Sequence, residues 1–210
     1  MEASSNLTKQ HLRTILKERR DRLSSQERAE RSKIISDLVR SQAWWKKSWT
    51  VHIYCSFGAE VQTQGLIQSA FEEQKRVLVP IVSGASNRLE HRIITPQTRF
   101  ETDSFGIPTP QYDFTDNNSN ATTPAALAAM PCDCVIVPLL GFDVALNRIG
   151  YGKGYYDRFL QELLYEASTR PYLIGLAFQC QFVKEGISIE EHDIRLDAVI
   201  TEDGITAAAV

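Results

Sequence analysis

No apolar run in the sequence approaches the roughly 20 residues that a membrane-spanning helix needs, which excludes a helical membrane protein. Residues Met1–Asn6 lack both the apolar core of a secretory signal and the arginine-rich character of a transit peptide, so a cytoplasmic location is expected. The four cysteines, Cys55, Cys132, Cys134 and Cys180, are too few and too irregularly spaced for a disulfide framework. Cys132 and Cys134 look like half a metal site, but no CxxC or histidine pair completes it, and the thiols are expected to stay reduced. A net charge of -3 lacks the basic excess of a protein built to grip nucleic acid. Internal repeats and dividing linkers are also missing, and 210 residues suit one domain with a substantial core.

What is present centres on residues 141–158. The apolar run Val135–Leu140 does not alternate and reads as a buried strand. Phe159–Tyr165 carries Phe159 and Leu163 on one helical face. Between them lies a strand-to-helix loop with three alternating glycines, Gly150, Gly152 and Gly154. Glycine lets a ligand approach the main chain, and a helix starting near Gly154 points free N–H groups and a positive dipole end at the loop. Arg148 and Lys153 add full charges, so phosphate is the expected guest. The motif is not a Walker loop, because Tyr155 stands where Ser or Thr would follow Lys153-Gly154, and its spacing is not G-x-G-x-x-G. Asp157 falls in the first turn of that helix, either as a dipole-favoured carboxylate or as a magnesium ligand beside the phosphates.

Taken in order, the chain predicts two helices over 8–41. Leu12, Ile15, Leu16 and Leu23 make an apolar stripe on the first, which is otherwise strongly basic. That charge is either a solvated face or an anion site, and Lys9 and Arg13, four apart, are placed to reach one anion together. Ser24 and Glu27 form a capping-box pattern that starts the second helix, with Ile34, Ile35, Leu38 and Val39 as its buried face. Strands are expected at 50–55, 76–82, 133–139 and 172–178, with a more exposed one at 88–94 and another at 197–201. A helix carrying Leu66, Ile67, Ala70 and Phe71 follows the 56–63 stretch. Glu60 there either meets a ligand at a strand's carboxyl end or caps that helix. The polar stretch 113–123 reads as a surface insertion, whereas the prolines around Phe105–Pro110 stiffen the backbone enough to hold an aromatic as a pocket wall. The architecture expected is a single-domain α/β fold over 1–210: an open, mainly parallel, Rossmann-like sheet with helices on both faces.

Gly141-Phe-Asp together with Asn147–Asp157 closely resembles the signature of the 5-formyltetrahydrofolate cyclo-ligase family, also called 5,10-methenyltetrahydrofolate synthetase. The resemblance extends to the basic first helix, Tyr54–Thr63, Val79-Pro80, the Gly106-Ile-Pro turn and Asp197–Glu202. Bacterial relatives often carry Gly at Lys153 and Glu-Pro at Thr109-Pro110, and the 113–123 stretch is not a family feature. The resemblance implies ATP- and Mg2+-dependent cyclisation of 5-formyltetrahydrofolate to 5,10-methenyltetrahydrofolate through a phosphorylated formyl group. A cytoplasmic monomer without nucleic-acid or membrane partners is the expectation for the chain as a whole. It implies that Arg148, Ile149, Gly150, Tyr151, Gly152, Lys153, Gly154, Tyr155, Tyr156 and Asp157 surround ATP, closed over by Lys9 and Arg13. Arg148, Lys153, Tyr155 and Asp157 are its implied catalytic set, and Asp157 and Asp193 its magnesium ligands. Tyr54, Phe57, Glu60, Phe105 and Tyr155 are implied to hold the folate, with Glu60 on the pterin ring. Two other classes fit the glycine loop: an α/β protein that binds nucleotide or sugar phosphate for another reaction, and an inactive homologue that only binds folate. A fluorescence titration with 5-formyltetrahydrofolate separates the first from the cyclo-ligase reading. Retention of Arg148, Lys153 and Asp157 speaks against the second, because an inactive copy has no use for a complete phosphate cradle.

Overall fold

The computed structural model describes residues 8–83, 88–103, 106–111, 121–122 and 132–208. Phe105 and most of the expected 113–123 insertion lie outside these residues. The helices are α1 (Lys9–Asp21), α2 (Ser25–Ser41), α3 (Ala43–Lys47), α4 (Gln64–Glu72) and α5 (Tyr155–Glu166). The strands are β1 (Thr50–Ile53), β2 (Arg76–Ser83), β3 (Arg88–Ile94), β4 (Phe100–Thr102), β5 (Pro108–Pro110), β6 (Ala121–Thr122), β7 (Cys134–Pro138), β8 (Gly141–Phe142), β9 (Arg148–Ile149), β10 (Tyr172–Leu176), β11 (Ala198–Thr201) and β12 (Gly204–Ala207).

One 8-stranded sheet runs β12-β11-β10-β7-β1-β2-β3-β6. Its middle, β11-β10-β7-β1-β2, is parallel, and antiparallel strands close both edges. Along the parallel strands the chain first steps from β1 outward to β2, then crosses to β7 and proceeds the other way through β10 and β11. The winding therefore reverses between β1 and β7. Open α/β sheets bind ligands in the crevice beyond the carboxyl ends of the strands at such a reversal.

Side chains of the apolar strands alternate between two cores. Cys134 and Ile136 of β7 pack with Ile35 and Val39 of α2 and Leu66 and Ala70 of α4. Val135 and Val137 pack on the opposite face with Phe159, Leu160 and Leu163 of α5. A strand buried on both faces needs apolar residues at every position, which is why these runs do not alternate. On that second face His52 and His91, their ring nitrogens 3.0 Å apart, stack against Phe159. Burial keeps both imidazoles neutral, His91 falling to about 4. The stack helps fix α5, and so the N-terminus it turns toward the crevice.

The capping box at Ser24 and Glu27 forms as expected. Two expectations change and one element is added. Ile34 is 46% exposed; the buried positions of α2 are Ser32, Ile35 and Val39, and the Ser32 hydroxyl accepts from the Gln62 N–H. Residues Ala43–Lys47 form the short helix α3, which buries Trp45. β1 and β10 end earlier than expected, at Ile53 and Leu176, because the chain beyond them turns into loops at the crevice.

Candidate active site

The loop between β7 and α5 is built around Asp143, which is 2% exposed. Its carboxylate accepts from the Asn147 N–H, the Asn147 side-chain amide and the Ile187 N–H, closing the turn between β8 and β9. That turn delivers Arg148 at the start of β9. Beyond it Gly152 and Gly154 take φ of +92° and +65°, a region that a side chain strongly disfavours. At Gly152 a Cβ would also lie 3.1 Å from the Arg13 guanidinium carbon. Arg13 Nε donates to the Gly150 carbonyl at 2.9 Å, so α1 lies directly over the loop. Gly154 caps α5 with no side-chain hydrogen bond, leaving first-turn N–H groups without a side-chain cap.

The charged residues are arranged as pairs. Arg148 is buried; it donates to the Ile194 carbonyl and, at 2.5 Å, to Asp157. Asp157 also receives the Ile194 N–H at 3.4 Å, so its carboxylate serves Arg148 and the 190s loop rather than capping its own helix. Lys9 reaches Asp193 at 2.6 Å and Glu190 at 3.0 Å. Burial alone would lower the Lys9 pKa, but the bonds to Asp193 and Glu190 outweigh it and leave it raised. Asp193 is lowered: burial acts upward and is overcome by Lys9 and by the Glu190 N–H. Lys153 remains exposed, and among the described residues its ammonium has no ion-pair partner.

The opposite wall comes from the loop after β1. The Tyr54 hydroxyl donates to the Val61 carbonyl, and Thr63 bonds both Tyr54 and Ser56, which folds residues 54–63 back on themselves. This aims Glu60, 5% exposed, at the loop of glycines rather than at the start of α4. One oxygen of Glu60 accepts the Phe57 N–H at 3.1 Å and the other accepts the Tyr151 hydroxyl at 3.1 Å. Burial pushes its carboxyl up to about 7, against the Phe57 N–H, the charge of Arg20 and the Tyr151 hydroxyl. The rings of Phe57 and Tyr151 lie 5.9 Å apart.

These walls enclose a cavity of about 630 Å³, lined by every candidate residue whose position is described. Lys9, Arg13, Arg148–Asp157 and Asp193 lie along it with Tyr54, Phe57 and Glu60. The sequence reading did not assign Cys55, Pro80, Val82, Leu89, Ile107, Pro138, Glu190 and His192 to it. Most of these are apolar strand or turn residues, and the Val79-Pro80 and Gly106-Ile-Pro motifs were the available signal for two of them. Among the described residues no three His, Cys, Asp or Glu side chains are grouped to hold a metal by themselves. No helix among them is long and apolar enough to cross a membrane.

A family profile described as the 5-formyltetrahydrofolate cyclo-ligase family matches residues 5–202. Mouse 5-formyltetrahydrofolate cyclo-ligase is 30% identical over 198 residues, 94% of this chain and 95% of that one. The Escherichia coli K12 protein of the same name is 35% identical over 153 residues, 72% of this chain and 77% of that one. The NMR structure of Aquifex aeolicus 5,10-methenyltetrahydrofolate synthetase superposes with a TM-score of 0.75 at 27% identity, covering 96% of this chain and 93% of that one.

Proposed function

The chain belongs to the 5-formyltetrahydrofolate cyclo-ligase family, and from that premise we propose that it closes 5-formyltetrahydrofolate to 5,10-methenyltetrahydrofolate with ATP as phosphoryl donor. The observation that carries this reading is the joining, in one cavity, of a cationic glycine loop and an aromatic wall bearing one buried carboxylate. The first suits a triphosphate and the second a flat ring with N–H donors on its edge.

A formamide oxygen is a poor leaving group. Transfer of the γ-phosphoryl to it releases ADP and leaves an imidate-like phosphate on the formyl carbon. The N10 nitrogen then attacks that carbon, phosphate departs with the former formyl oxygen, and N10 gives up its proton. The protein's part is to align the two substrates and balance charge. Arg13, Lys153 and the first-turn N–H groups of α5 would face the phosphates, and Phe57 and Tyr155 would pack on the folate.

Asp157 and Asp193 fit a magnesium site of the open kind, in which one or two carboxylates share the ion with substrate phosphates and water. When bound, the ion would supply charge neutralisation at the transferring phosphate. Each of these carboxylates is held by a cation that also lines the cavity, Arg148 on Asp157 and Lys9 on Asp193. Arg148 and Lys9 would exchange those carboxylates for phosphate oxygens, and until then the pairs hold both partners in place along the cavity. The reading takes residues 1–210 as one catalytic unit acting as a cytoplasmic monomer, with neither nucleic acid nor membrane as partner.

The direct test mixes the protein with 5-formyltetrahydrofolate and Mg-ATP and follows the absorbance of the methenyl product. No product in the complete mixture, or equal product without ATP, would refute the proposal. Lys153→Ala should weaken apparent ATP affinity by about tenfold, as expected for one charge-assisted contact, and leave folate binding unchanged. A variant that loses folate and keeps ATP would show that the loop has been assigned to the wrong substrate.

A further inference from the structure

Arg20 is out of keeping with the rest of α1. The helix presents its other basic residues to water or to the cavity, yet Arg20 is 3% exposed. Its Nη2 donates to the Tyr151 hydroxyl at 2.9 Å, and its guanidinium carbon lies 5.7 Å from the centre of that ring. Nε and Nη1 are buried, with no hydrogen-bond partner among the described residues. A buried guanidinium bonded only to a phenol is strongly unfavourable unless a counter-charge stands nearby.

The counter-charge is one hydrogen bond further on. A phenol has one proton to give, so while Tyr151 accepts from Arg20 it donates to Glu60, joining a buried cation to a buried carboxyl. Among the described residues the other titratable groups that face Glu60 are Tyr54, Cys55 and Tyr156. Burial raises all three, Cys55 to about 12, and the nearby Glu60 adds to each, so they are neutral. Arg20 is the cation that acts on Glu60.

We propose that Arg20, acting through Tyr151, is a positioning residue that keeps Glu60 ionised and aimed at the donor edge of the folate ring. This rests on the assignment of Glu60 to that ring. With one bond from Phe57 and one from Tyr151, each carboxylate oxygen keeps room for a further donor, which suits two adjacent N–H groups on a ring edge. A protonated Glu60 would turn an O–H donor toward those donors and lose the match. Burial drives Glu60 toward that protonated form, and Arg20 opposes it.

A role confined to packing is the competing explanation. Arg13 and Arg20, two helical turns apart, hold adjacent residues of the same loop, at the Gly150 carbonyl and the Tyr151 hydroxyl. The experiment therefore measures kcat and KM for both substrates from about pH 6 to about pH 9 for wild type, Arg20→Gln, Arg20→Lys and Tyr151→Phe. Arg20→Gln should raise the folate KM about tenfold near neutrality and shift its pH dependence upward by about one unit, converging on wild type at the alkaline end. The ATP KM should not move. Arg20→Lys keeps the charge and should restore most of the neutral-pH affinity, and Tyr151→Phe should fall between.

A loss that is equal at every pH, or equal for folate and ATP, would reduce Arg20 to a pin for α1 and overturn the proposal, as would no change at all. If Arg20→Gln does not fold, Tyr151→Phe removes the relay while leaving the arginine in place, and its pH profile decides alone. Glu60→Gln run in parallel separates the two levels. If that variant keeps its folate KM, the assignment of Glu60 fails. If it loses folate affinity while Arg20→Gln tracks wild type across pH, only the proposal for Arg20 fails.

Discussion

Glu60→Gln should yield a protein more stable than wild type above about pH 7 and nearly unable to bind its folate substrate. Both effects come from the same burial. Glu60 is 5% exposed, and its carboxyl sits at about 7 instead of 4.5. For a carboxyl raised on folding, the native state holds a proton that the unfolded state has already released. Stability therefore falls as pH climbs from 4.5 toward about 7, and the cost remains in full above that. A shift of this size corresponds to roughly 3 kcal/mol, and the amide of Gln carries some desolvation cost of its own. A gain of about 1–3 kcal/mol at about pH 8 is expected, or several degrees in Tm for a chain of this length. The hydrogen bonds survive, since Gln can accept from the Phe57 N–H and its amide can donate to the Tyr151 hydroxyl. What Gln cannot do is offer two anionic acceptors to two donors, so folate affinity should drop at least about 100-fold. Thermal melts across pH, beside a folate titration, check both halves. A variant that binds folate normally removes Glu60 from the site, and one no more stable than wild type at alkaline pH shows that the carboxyl carries no such burden.

The parts of this arrangement that sequence could reveal are those encoded locally. The buried strands announce themselves as unbroken apolar runs, the start of α5 as glycines before an apolar helical face, and the loop that lines the cavity as cations among those glycines. Pairings made by tertiary geometry are silent in the sequence. Arg148 and Asp157, nine residues apart, meet because the β8–β9 hairpin folds beneath the first turn of α5. Lys9 and Asp193, at opposite ends of the chain, meet because α1 crosses the loop. Arg20 is hidden in a basic stretch that reads either as a solvated face or as an anion site. Its spacing of seven from Arg13 puts both on one side of the helix, but nothing local says that this side turns inward just there. Helix phase misled in α2 too, where Ser32 took a buried place and Ile34 did not. The short α3 has no capping signal and is held by the burial of Trp45.

Asp157→Asn should be both less stable and far less active, and the two losses have separate causes. From position alone, Asn at a helix start ought to be nearly neutral for folding, because it caps about as well as Asp. The observed contact changes that expectation. The Arg148 side chain is 4% exposed and its carboxylate partner, 2.5 Å away, is Asp157, itself 24% exposed. Breaking a fully buried pair costs about 3–5 kcal/mol, and the partial exposure of Asp157 together with the hydrogen bond Asn can still make reduces this to about 2–3 kcal/mol. The activity loss has another source. If Asp157 shares the magnesium ion with the phosphates, Asn keeps the shape and removes the charge that binds it. Turnover should then fall at least about 100-fold and recover in part as magnesium is raised. Adding Arg148→Met to Asp157→Asn distinguishes the two. Removing the orphaned guanidinium should return part of the lost stability, as coupled neighbours do, and should return none of the turnover. Denaturant unfolding and turnover, measured on both variants across a magnesium series, decide the matter. If Asp157→Asn is destabilised yet keeps near-normal turnover at limiting magnesium, the carboxylate serves Arg148 alone and the ion is held elsewhere. If it unfolds like wild type, Arg148 does not depend on it, and the paired-charge account of the site fails.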